Sequence, residues 1–310
     1  MKVLVTGGAG FIGSHLCHRL INNGHSVICV DNFITGCKEN LTSLLESPRF
    51  SLYEEDICKP LDFDVEQIFN LASPASPVHY QKNPVATIQT NIIGSSNLLE
   101  LAKKTKAIIF LASTSEVYGD PAQHPQNENY FGNVNPVGPR SCYDESKRCA
   151  EALFTAYKKQ YKVDIRIGRI FNTYGPNMQI DDGRAISNFI VSALNNSILT
   201  VNGDGMQTRS FMYIDDLIDG IINLMKTDIQ TPVNLGNPDE ITIKELAEKI
   251  LKLTKSKSRI IYKPMPQDDP LKRKPDTKLA EQILKWSPKI NLEEGLKKTT
   301  EYFKLTLKSC

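Results

Sequence analysis

The chain of 310 residues has little net charge, no long apolar run, no internal repeat and no C-x-x-C pair. Its 37 Lys and Arg residues against 35 Asp and Glu give a formal charge of +2, without the basic bias usual in nucleic-acid-binding proteins. No apolar stretch approaches the roughly 18 residues of a transmembrane helix, and the opening MKVLVTGG lacks the apolar region of a signal peptide. Seven cysteines without C-x-x-C spacing indicate reduced thiols. We therefore expect a cytoplasmic protein that binds no nucleic acid, membrane or metal.

Apolar runs and helical spacing alternate along the first half of the chain. The short apolar runs, which lack polar alternation as parallel strands covered on both faces do, lie at 2–6, 26–31, 50–54, 66–72 and 107–113. Helical spacing separates them, most clearly over 84–105. This alternation predicts an α/β fold with a Rossmann-type, doubly wound parallel sheet.

The sequence pattern changes after about residue 170. Turn-rich stretches appear, and shorter helices are predicted at 184–195, 242–254 and 291–305. We expect residues 1–170 to form the first domain and residues 171–310 a smaller α/β lobe that binds the substrate. The boundary is approximate, because a chain of this kind can cross back to the first domain.

A glycine-rich turn follows the first predicted strand. Gly8, Gly10 and Gly13 form G-x-G-x-x-G at the start of a helix, where glycines allow the backbone to approach a pyrophosphate and the helix N-terminus supplies N–H donors. The second predicted strand ends at Asp31, whose carboxylate can accept hydrogen bonds from the adenosine ribose and would repel a 2′-phosphate. Domain 1–170 is therefore predicted to bind NAD rather than NADP.

Tyr143 and Lys147 form a Y-x-x-x-K pair. On a helix this spacing places the phenol and the ammonium on one face. The ammonium and an oxidised nicotinamide would both favour phenolate and lower the pKa of Tyr143, which suits a base that removes a proton from an alcohol.

Polar residues follow the strand predicted at 107–113. Ligands of doubly wound sheets bind beyond the carboxyl ends of the strands, so Thr114, Ser115 and Glu116 lie where chemistry is expected. Thr114 can hydrogen-bond the alcohol that is oxidised, and Glu116 adds a second acid–base group. From its position alone, Glu116 is equally compatible with a solvated loop carboxylate.

The segments 70–80, 113–121, 140–145, 171–176, 207–211 and 268–276 are the most informative longer stretches. Through them the chain resembles the extended short-chain dehydrogenase/reductases and, more narrowly, the UDP-glucuronic acid decarboxylase (UDP-xylose synthase) family, and the similarity extends over nearly the whole chain. Sugar-nucleotide 4,6-dehydratases usually carry Thr-Asp-Glu at the triplet, whereas this chain has Ser115 in the middle. Dehydration needs an acid for the departing C6 hydroxyl, and serine is a poor acid, so the triplet favours decarboxylation.

The resemblance implies roles for individual residues. The implied catalytic residues are Tyr143, Lys147, Thr114, Ser115, Glu116 and Arg273. The implied NAD contacts, which include Tyr143 and Lys147, are Gly7, Gly10, Phe11, Ile12, Gly13, Asp31, Asn32, Asp56, Ile57, Leu71 and Ala72. The implied contacts of the UDP-sugar are Pro77, Tyr80, Asn172, Arg184, Gln207, Arg209 and Arg273. The resemblance leaves open how Glu116 and Arg273 divide proton handling, and it implies a homodimer formed through the helices that follow residues 84 and 143.

Two departures from the family pattern and two alternative functions complete the sequence-based hypothesis. Asn202 stands where the family often has Tyr, and Asn177 where an Arg often follows Gly-Pro. A 4,6-dehydratase or 4-epimerase could use the same scaffold, and a silent NAD-binding regulator is the alternative outside enzymes. The triplet and Arg273 argue against the first, and intact Tyr143 and Lys147 against the second.

Overall fold

A computed structural model describes residues 1–309, so Cys310, one of the seven cysteines, lies outside the described residues. The strands are β1 (Lys2–Thr6), β2 (Ser26–Asp31), β3 (Phe50–Glu54), β4 (Gln67–Asn70), β5 (Ile108–Thr114), β6 (Ile165–Ile170), β7 (Thr173–Tyr174), β8 (Leu199–Asn202), β9 (Thr208–Ser210), β10 (Met212–Tyr213), β11 (Pro232–Leu235), β12 (Glu240–Thr242), β13 (Ile260–Lys263) and β14 (Lys272–Arg273). The helices are α1 (Phe11–Asn22), α2 (Pro77–Tyr80), α3 (Pro84–Gln89), α4 (Ser95–Thr105), α5 (Ser141–Tyr161), α6 (Ala185–Leu194), α7 (Ile214–Met225), α8 (Ile243–Thr254), α9 (Lys278–Leu284) and α10 (Leu292–Ser309). Short 3₁₀ segments occupy Lys38–Leu44 and Ser115–Tyr118.

Seven parallel strands form the main sheet in the order β11-β6-β5-β4-β1-β2-β3. The order reverses between β1 and β4, and parallel α/β sheets bind ligands in the crevice at such a switch point. The predicted Rossmann-type sheet is confirmed, and the five predicted strands correspond to β1 to β5. The crevice lies beyond Thr6, where the glycine-rich turn begins.

Each face of the sheet is covered by its own apolar core, because successive side chains of a strand point to opposite faces. Val3 and Val5 pack with Leu16 of α1 and with α7, whereas Leu4 packs with α4 and α5 through Leu98 and Phe154. All of these side chains are fully buried. Burial on both faces explains why the strands are continuous apolar runs without polar alternation.

The helix predicted over 84–105 is present but interrupted. A π turn at Thr90–Gly94 joins α3 to α4, and such turns occur frequently at functional sites. Asn91 within the turn is buried and donates through Nδ2 to Ser146 Oγ of α5 at 2.9 Å. The turn thereby ties this helix to the helix that carries Tyr143 and Lys147.

The second half of the chain builds a smaller lobe on the carboxyl edge of the sheet. Helices α6, α8 and α10 lie where helices were predicted, and three small sheets pair β7 with β10, β8 with β13, and β9 with both β12 and β14. After this lobe has begun, the chain returns to the main sheet, where β11 pairs with β6. Helices α7 and α9 were not predicted, although Leu217, Ile221 and Leu224 of α7 have the apolar helical spacing that could have revealed it.

Candidate active site

The glycine-rich turn is shaped by close backbone contacts. Gly7 has φ +70°, and a Cβ on it would lie 2.7 Å from the backbone nitrogen of Ala72. A Cβ on Gly13 would overlap the carbonyl oxygen of Gly7, which keeps α1 close to the turn. A Cβ on Gly10 would meet only that same oxygen, at 3.2 Å, and Gly10 also lines the large cavity of the protein. The turn therefore leaves free space at Gly10, beside a helix N-terminus that has no side-chain cap.

Asp31 closes the other end of this pocket. Its carboxylate accepts the backbone N–H groups of Ala9 and Phe33, each at 2.9 Å, and the side chain lines the cavity. Burial raises the pKa of Asp31, although the backbone hydrogen bonds oppose the rise. Each oxygen retains a lone pair for a further donor, so Asp31 can accept the ribose hydroxyls of a dinucleotide.

Helix α5 places Tyr143 and Lys147 on its inner face. Both side chains are buried, and Lys147 donates through Nζ to the carbonyl of Ala112 at 3.0 Å. Burial raises the pKa of Tyr143 despite a hydrogen bond with Thr114, and burial lowers the pKa of Lys147 to about 7. The predicted lowering of the Tyr143 pKa is therefore wrong for the protein by itself, because the cost of burying a phenolate outweighs the effect of the lysine, whose Nζ is 5.8 Å from the ring centroid.

Tyr80 stacks on the ring of Tyr143. The two rings are parallel within 3°, with centroids 4.9 Å apart, and Tyr80 is fully buried. The stack fixes the plane of the Tyr143 ring, so the phenol oxygen is held beside Thr114 at the end of β5.

Glu116 is held by two arginines rather than by solvent. Arg140 Nη2 donates to Glu116 Oε2 at 2.5 Å, and Arg273 Nη1 pairs with Oε1. Arg273 also donates through Nη2 to the carbonyl of Gly119 at 3.0 Å. Burial favours the neutral acid, but the two guanidinium charges outweigh it and keep the pKa of Glu116 well below its ordinary value. Glu116 is thus a largely buried, ionised carboxylate that lines the cavity, with its side chain 16% exposed, and not a solvated loop residue.

Sequence reasoning missed two residues that extend this cluster. Asp269 accepts from Arg209 Nη2 at 3.1 Å and from Arg140 Nη1 at 3.4 Å, and both Asp269 and Arg140 line the cavity. Arg140 and Asp269 belong to the stretches that carry the family resemblance, which was the available signal. Neither was assigned a role because 129 residues separate them along the chain.

Asp144 is a third carboxylate beside Arg140. It is buried, and its Oδ2 lies 3.8 Å from Arg140 Nε. Burial and the neighbouring charge of Glu116 raise the pKa of Asp144 to about 7, although Arg140 opposes the rise. Asp144 does not line the cavity, so it is a neighbour of the site rather than a contact for a ligand.

One cavity of about 570 Å³ joins the glycine-rich turn to this cluster. Every residue that the sequence assigned to cofactor or substrate lines it except Asp56. Asp56 instead accepts from Asn32 Nδ2 at 3.3 Å and from the backbone N–H of Cys58 at 2.8 Å. A direct cofactor contact by Asp56 is therefore not supported, and its observed contact is with Asn32, which does line the cavity.

Four buried polar atoms in the cavity wall have no hydrogen-bond partner within residues 1–309. They are Oη of Tyr80, Nδ2 of Asn172, Oε1 of Gln207 and Nε of Arg273. A buried polar group without a partner is costly, so these atoms indicate a polar ligand. Gln207 Nε2 meanwhile donates to the carbonyl of Asn202 at 2.5 Å, which fixes the orientation of the Gln207 amide.

Arg184, another predicted substrate contact, is already paired. It forms a two-bond ion pair with Asp182, with distances of 2.5 and 2.6 Å. Its guanidinium carbon lies 5.9 Å from the centre of the Phe11 ring. Arg184 therefore stands between the two ends of the cavity with a fixed orientation.

No helix within residues 1–309 is both long and apolar enough to cross a membrane.

Comparisons with known proteins show which proteins this chain is similar to. A family model described as GDP-mannose 4,6 dehydratase matches residues 4–299. UDP-glucuronic acid decarboxylase 1 of Danio rerio is 53% identical over 302 residues, which cover 97% of this chain and 72% of that protein. UDP-glucuronic acid decarboxylase 6 of Arabidopsis thaliana is 53% identical over 308 residues, which cover 99% and 90%. The UDP-glucuronic acid 4-epimerase of Bacillus cereus in complex with UDP-glucuronic acid and NAD has a TM-score of 0.89 at 31% identity, with 99% and 100% covered.

Proposed function

The chain belongs to the UDP-glucuronic acid decarboxylase family, within the group described by the GDP-mannose 4,6 dehydratase model, and from this membership we propose that it converts UDP-glucuronate to UDP-xylose and CO2. One observation favours decarboxylation over the other reactions that the same fold supports. The sugar end of the cavity presents Arg273 and the ionised Glu116 around Ser115, where a dehydratase needs an acid.

The first half of the cavity fits NAD. Gly10 leaves free space, Asp31 offers acceptors for ribose hydroxyls, and the uncapped N-terminus of α1 offers N–H donors to a pyrophosphate. When bound, NAD supplies a hydride acceptor for C4 of the sugar, returns the hydride later, and adds a positive charge that favours the phenolate of Tyr143.

Tyr143 is the base for the 4-hydroxyl of the sugar. Its oxygen is held beside Thr114, which hydrogen-bonds the phenol and can bond the same alcohol. Lys147, anchored on the carbonyl of Ala112, lies one helical turn along α5 and stabilises the phenolate when it is protonated. The proton leaves the alcohol for the phenol as C4 becomes a ketone.

The cluster at Glu116 serves the second step. A 4-ketone makes C6 the carboxylate of a β-keto acid, so the C5–C6 bond breaks, CO2 leaves, and the electron pair is delocalised onto the C4 oxygen. Arg273 supplies a cation for the substrate carboxylate and then for the enolate. Ser115 can bond the sugar without placing a second negative charge against that carboxylate. A proton then returns to C5, and C4 is reduced.

The second half of the cavity fits a nucleoside diphosphate. Arg209 presents a planar guanidinium that matches phosphate oxygens, and Asn172 offers an unpartnered N–H2 group. Gln207 and Asn202 lie at the same end. We assign Arg209 and Asn172 to the diphosphate and the region of Gln207 to the uridine. Apart from β11 and the helices packed on the main sheet, residues 171–310 form this substrate lobe.

A direct assay tests the reaction. Purified protein is incubated with UDP-glucuronate, and both CO2 and a UDP-pentose are measured, with Tyr143→Phe as the matched inactive control. Equal amounts of the two products are expected. Conversion to a C4 epimer that retains C6, without CO2, would show that the protein is an epimerase instead.

We also propose that the protein forms a homodimer through α3 and α5. Val85 and Ile88 lie on one face of α3 and are 65% and 40% exposed, and Ile93 in the π turn is 43% exposed. Helix α3 packs directly on α5, so a second copy of the chain could bury this apolar strip. Sedimentation should show a dimer for the wild type and a monomer for Val85→Glu combined with Ile88→Glu. An unchanged dimer would exclude this surface.

A further inference from the structure

Five charged side chains form a continuous ion-pair chain along the cavity wall. In order they are Arg209, Asp269, Arg140, Glu116 and Arg273. All five line the cavity, and the chain runs from the diphosphate end to the sugar end. Asp269 is the link that joins the two ends, because it bonds both Arg209 and Arg140.

The two carboxylates of this ion-pair chain occupy arginines that an anionic substrate would use. Three arginines and two carboxylates leave one net positive charge, whereas UDP-glucuronate brings two charges on its diphosphate and one on its carboxylate. A diphosphate on Arg209 would lie beside the carboxylate of Asp269, which is 3.1 Å from Arg209 Nη2, and the two anionic groups would repel each other. A rearrangement of these ion pairs on substrate binding would relieve that repulsion.

Of the five charged side chains, Asp269 can change its ion-pair partner at the lowest cost in free energy. Its side chain is 25% exposed, compared with 11% for Arg209, 10% for Arg140 and 3% for Arg273. It belongs to the loop before β14, whereas Arg209 and Arg273 are paired directly across two neighbouring strands. A more exposed carboxylate loses less hydration energy when it changes partners.

We propose that Asp269 is a positioning residue that pairs mainly with Arg209 in the free protein. When a diphosphate binds Arg209, Asp269 pairs more closely with Arg140. The ion pair between Arg140 and Glu116 is thereby weakened. The proposal rests on the proposed function, because it requires Arg209 to bind the diphosphate. The ion-pair chain then couples binding of the nucleotide to the state of Glu116. A substrate lacking its diphosphate would leave Glu116 fully held.

Asp269→Asn tests the coupling because it keeps the shape of the side chain and removes the charge. Without the competing carboxylate, UDP should bind about tenfold more tightly, near the lower end for a hydrogen bond to a charged group because Asp269 is partly exposed. Uridine, which has no diphosphate, should bind unchanged. At the same time kcat for UDP-glucuronate should fall, because Arg140 stays paired with Glu116. Since the diphosphate binds more tightly, KM should fall as well, so KM and kcat fall together.

Asp268→Asn is the matched control. Asp268 is the adjacent carboxylate, but it accepts from Asn135 Nδ2 at 3.0 Å and does not line the cavity. Its φ of +60° also suits asparagine. The affinities for UDP and uridine, measured by calorimetry, should equal those of the wild type.

The outcomes separate this inference from the proposed function. Tighter UDP binding with slower turnover in Asp269→Asn supports the coupling, and unchanged or weaker UDP binding overturns it. Asp269→Ser, a smaller neutral variant, must show the same increase in affinity for UDP. This variant controls for a local distortion caused by the asparagine side chain. If Arg209→Gln leaves UDP affinity unchanged, the assignment of the diphosphate itself is wrong, whatever Asp269 does.

Discussion

Replacement of Arg273 by alanine should weaken binding of UDP-glucuronate far more than binding of UDP-xylose, which lacks the carboxylate. Two N–H groups of Arg273 are held by Glu116 and by the carbonyl of Gly119, so the guanidinium is fixed and only 2% of the residue is exposed. Its Nε has no partner within the described part of the chain. One hydrogen bond to a charged group contributes about 1.5–3 kcal/mol, which is roughly a 10- to 150-fold loss of affinity.

The same substitution also costs stability. Loss of one partner from a buried ion pair typically destabilises a protein by about 3–5 kcal/mol. Arg140 still donates to the other oxygen of Glu116, so we expect a cost near the lower end. The loss of positive charge should also raise the pKa of Glu116 from its lowered value, since Arg273 is the largest of the influences that lower it.

Calorimetric titration of both ligands separates these two effects. Thermal unfolding first establishes that Arg273→Ala is folded at the titration temperature, and Lys272→Ala, at the exposed neighbour, serves as the control that changes nothing. Arg273→Lys, which keeps the charge, should recover part of the affinity for UDP-glucuronate. Equal losses for the two ligands would refute the reasoning, because Arg273 would then not contact the carboxylate.

Three further predictions concern the cofactor end and the base. Tyr143→Phe should reduce kcat by about 10²–10⁴-fold while UDP affinity measured by calorimetry stays close to that of the wild type; near-normal turnover would exclude Tyr143 as the base. Asp31→Ala should weaken NAD binding by about 10-fold or more, as expected for a charged hydrogen bond, and reduce the preference over NADP, both measured by titration of cofactor-stripped protein. Folded Lys147 releases its proton near pH 7, whereas the unfolded chain keeps it until about 10.5; stability therefore gains about 1.4 kcal/mol per pH unit from this group across that window. Lys147→Met should remove that rise in denaturant unfolding, and an unchanged slope would contradict the assignment.

Local patterns in the sequence were sufficient to predict that the glycine-rich turn and the end of β2 lie side by side. Thr6, the glycines and Asp31 belong to one short β-turn-α-β segment, so their spacing along the chain largely determines their arrangement in space. Tyr143 and Lys147 are likewise one helical turn apart, and their shared face follows from the geometry of a helix.

The surroundings of Glu116 required the structure. Arg140 lies immediately before α5, Arg273 reaches Glu116 only because β14 pairs with β9, and Asp269 lies in the loop before β14. Arg140 and Glu116 are 24 residues apart, and Arg140 and Asp269 are 129 residues apart, so no local pattern encodes these contacts. The pKa of Tyr143 was missed for a related reason, since the cost of burial depends on the complete packing around the ring.

The return of β11 to the main sheet has a consequence for how the protein can be divided. Because β11 lies against β6, a fragment ending at Ile170 would leave β6 as an open edge with unpaired N–H and C=O groups, which favours aggregation. A fragment beginning at Phe171 would carry β11 without its neighbour and expose Val233 and Leu235, which are fully buried in the intact chain. An engineered exchange of substrate lobes between relatives would therefore need residues 232–235 to remain with the host sheet, because the two parts are interleaved along the chain rather than joined end to end.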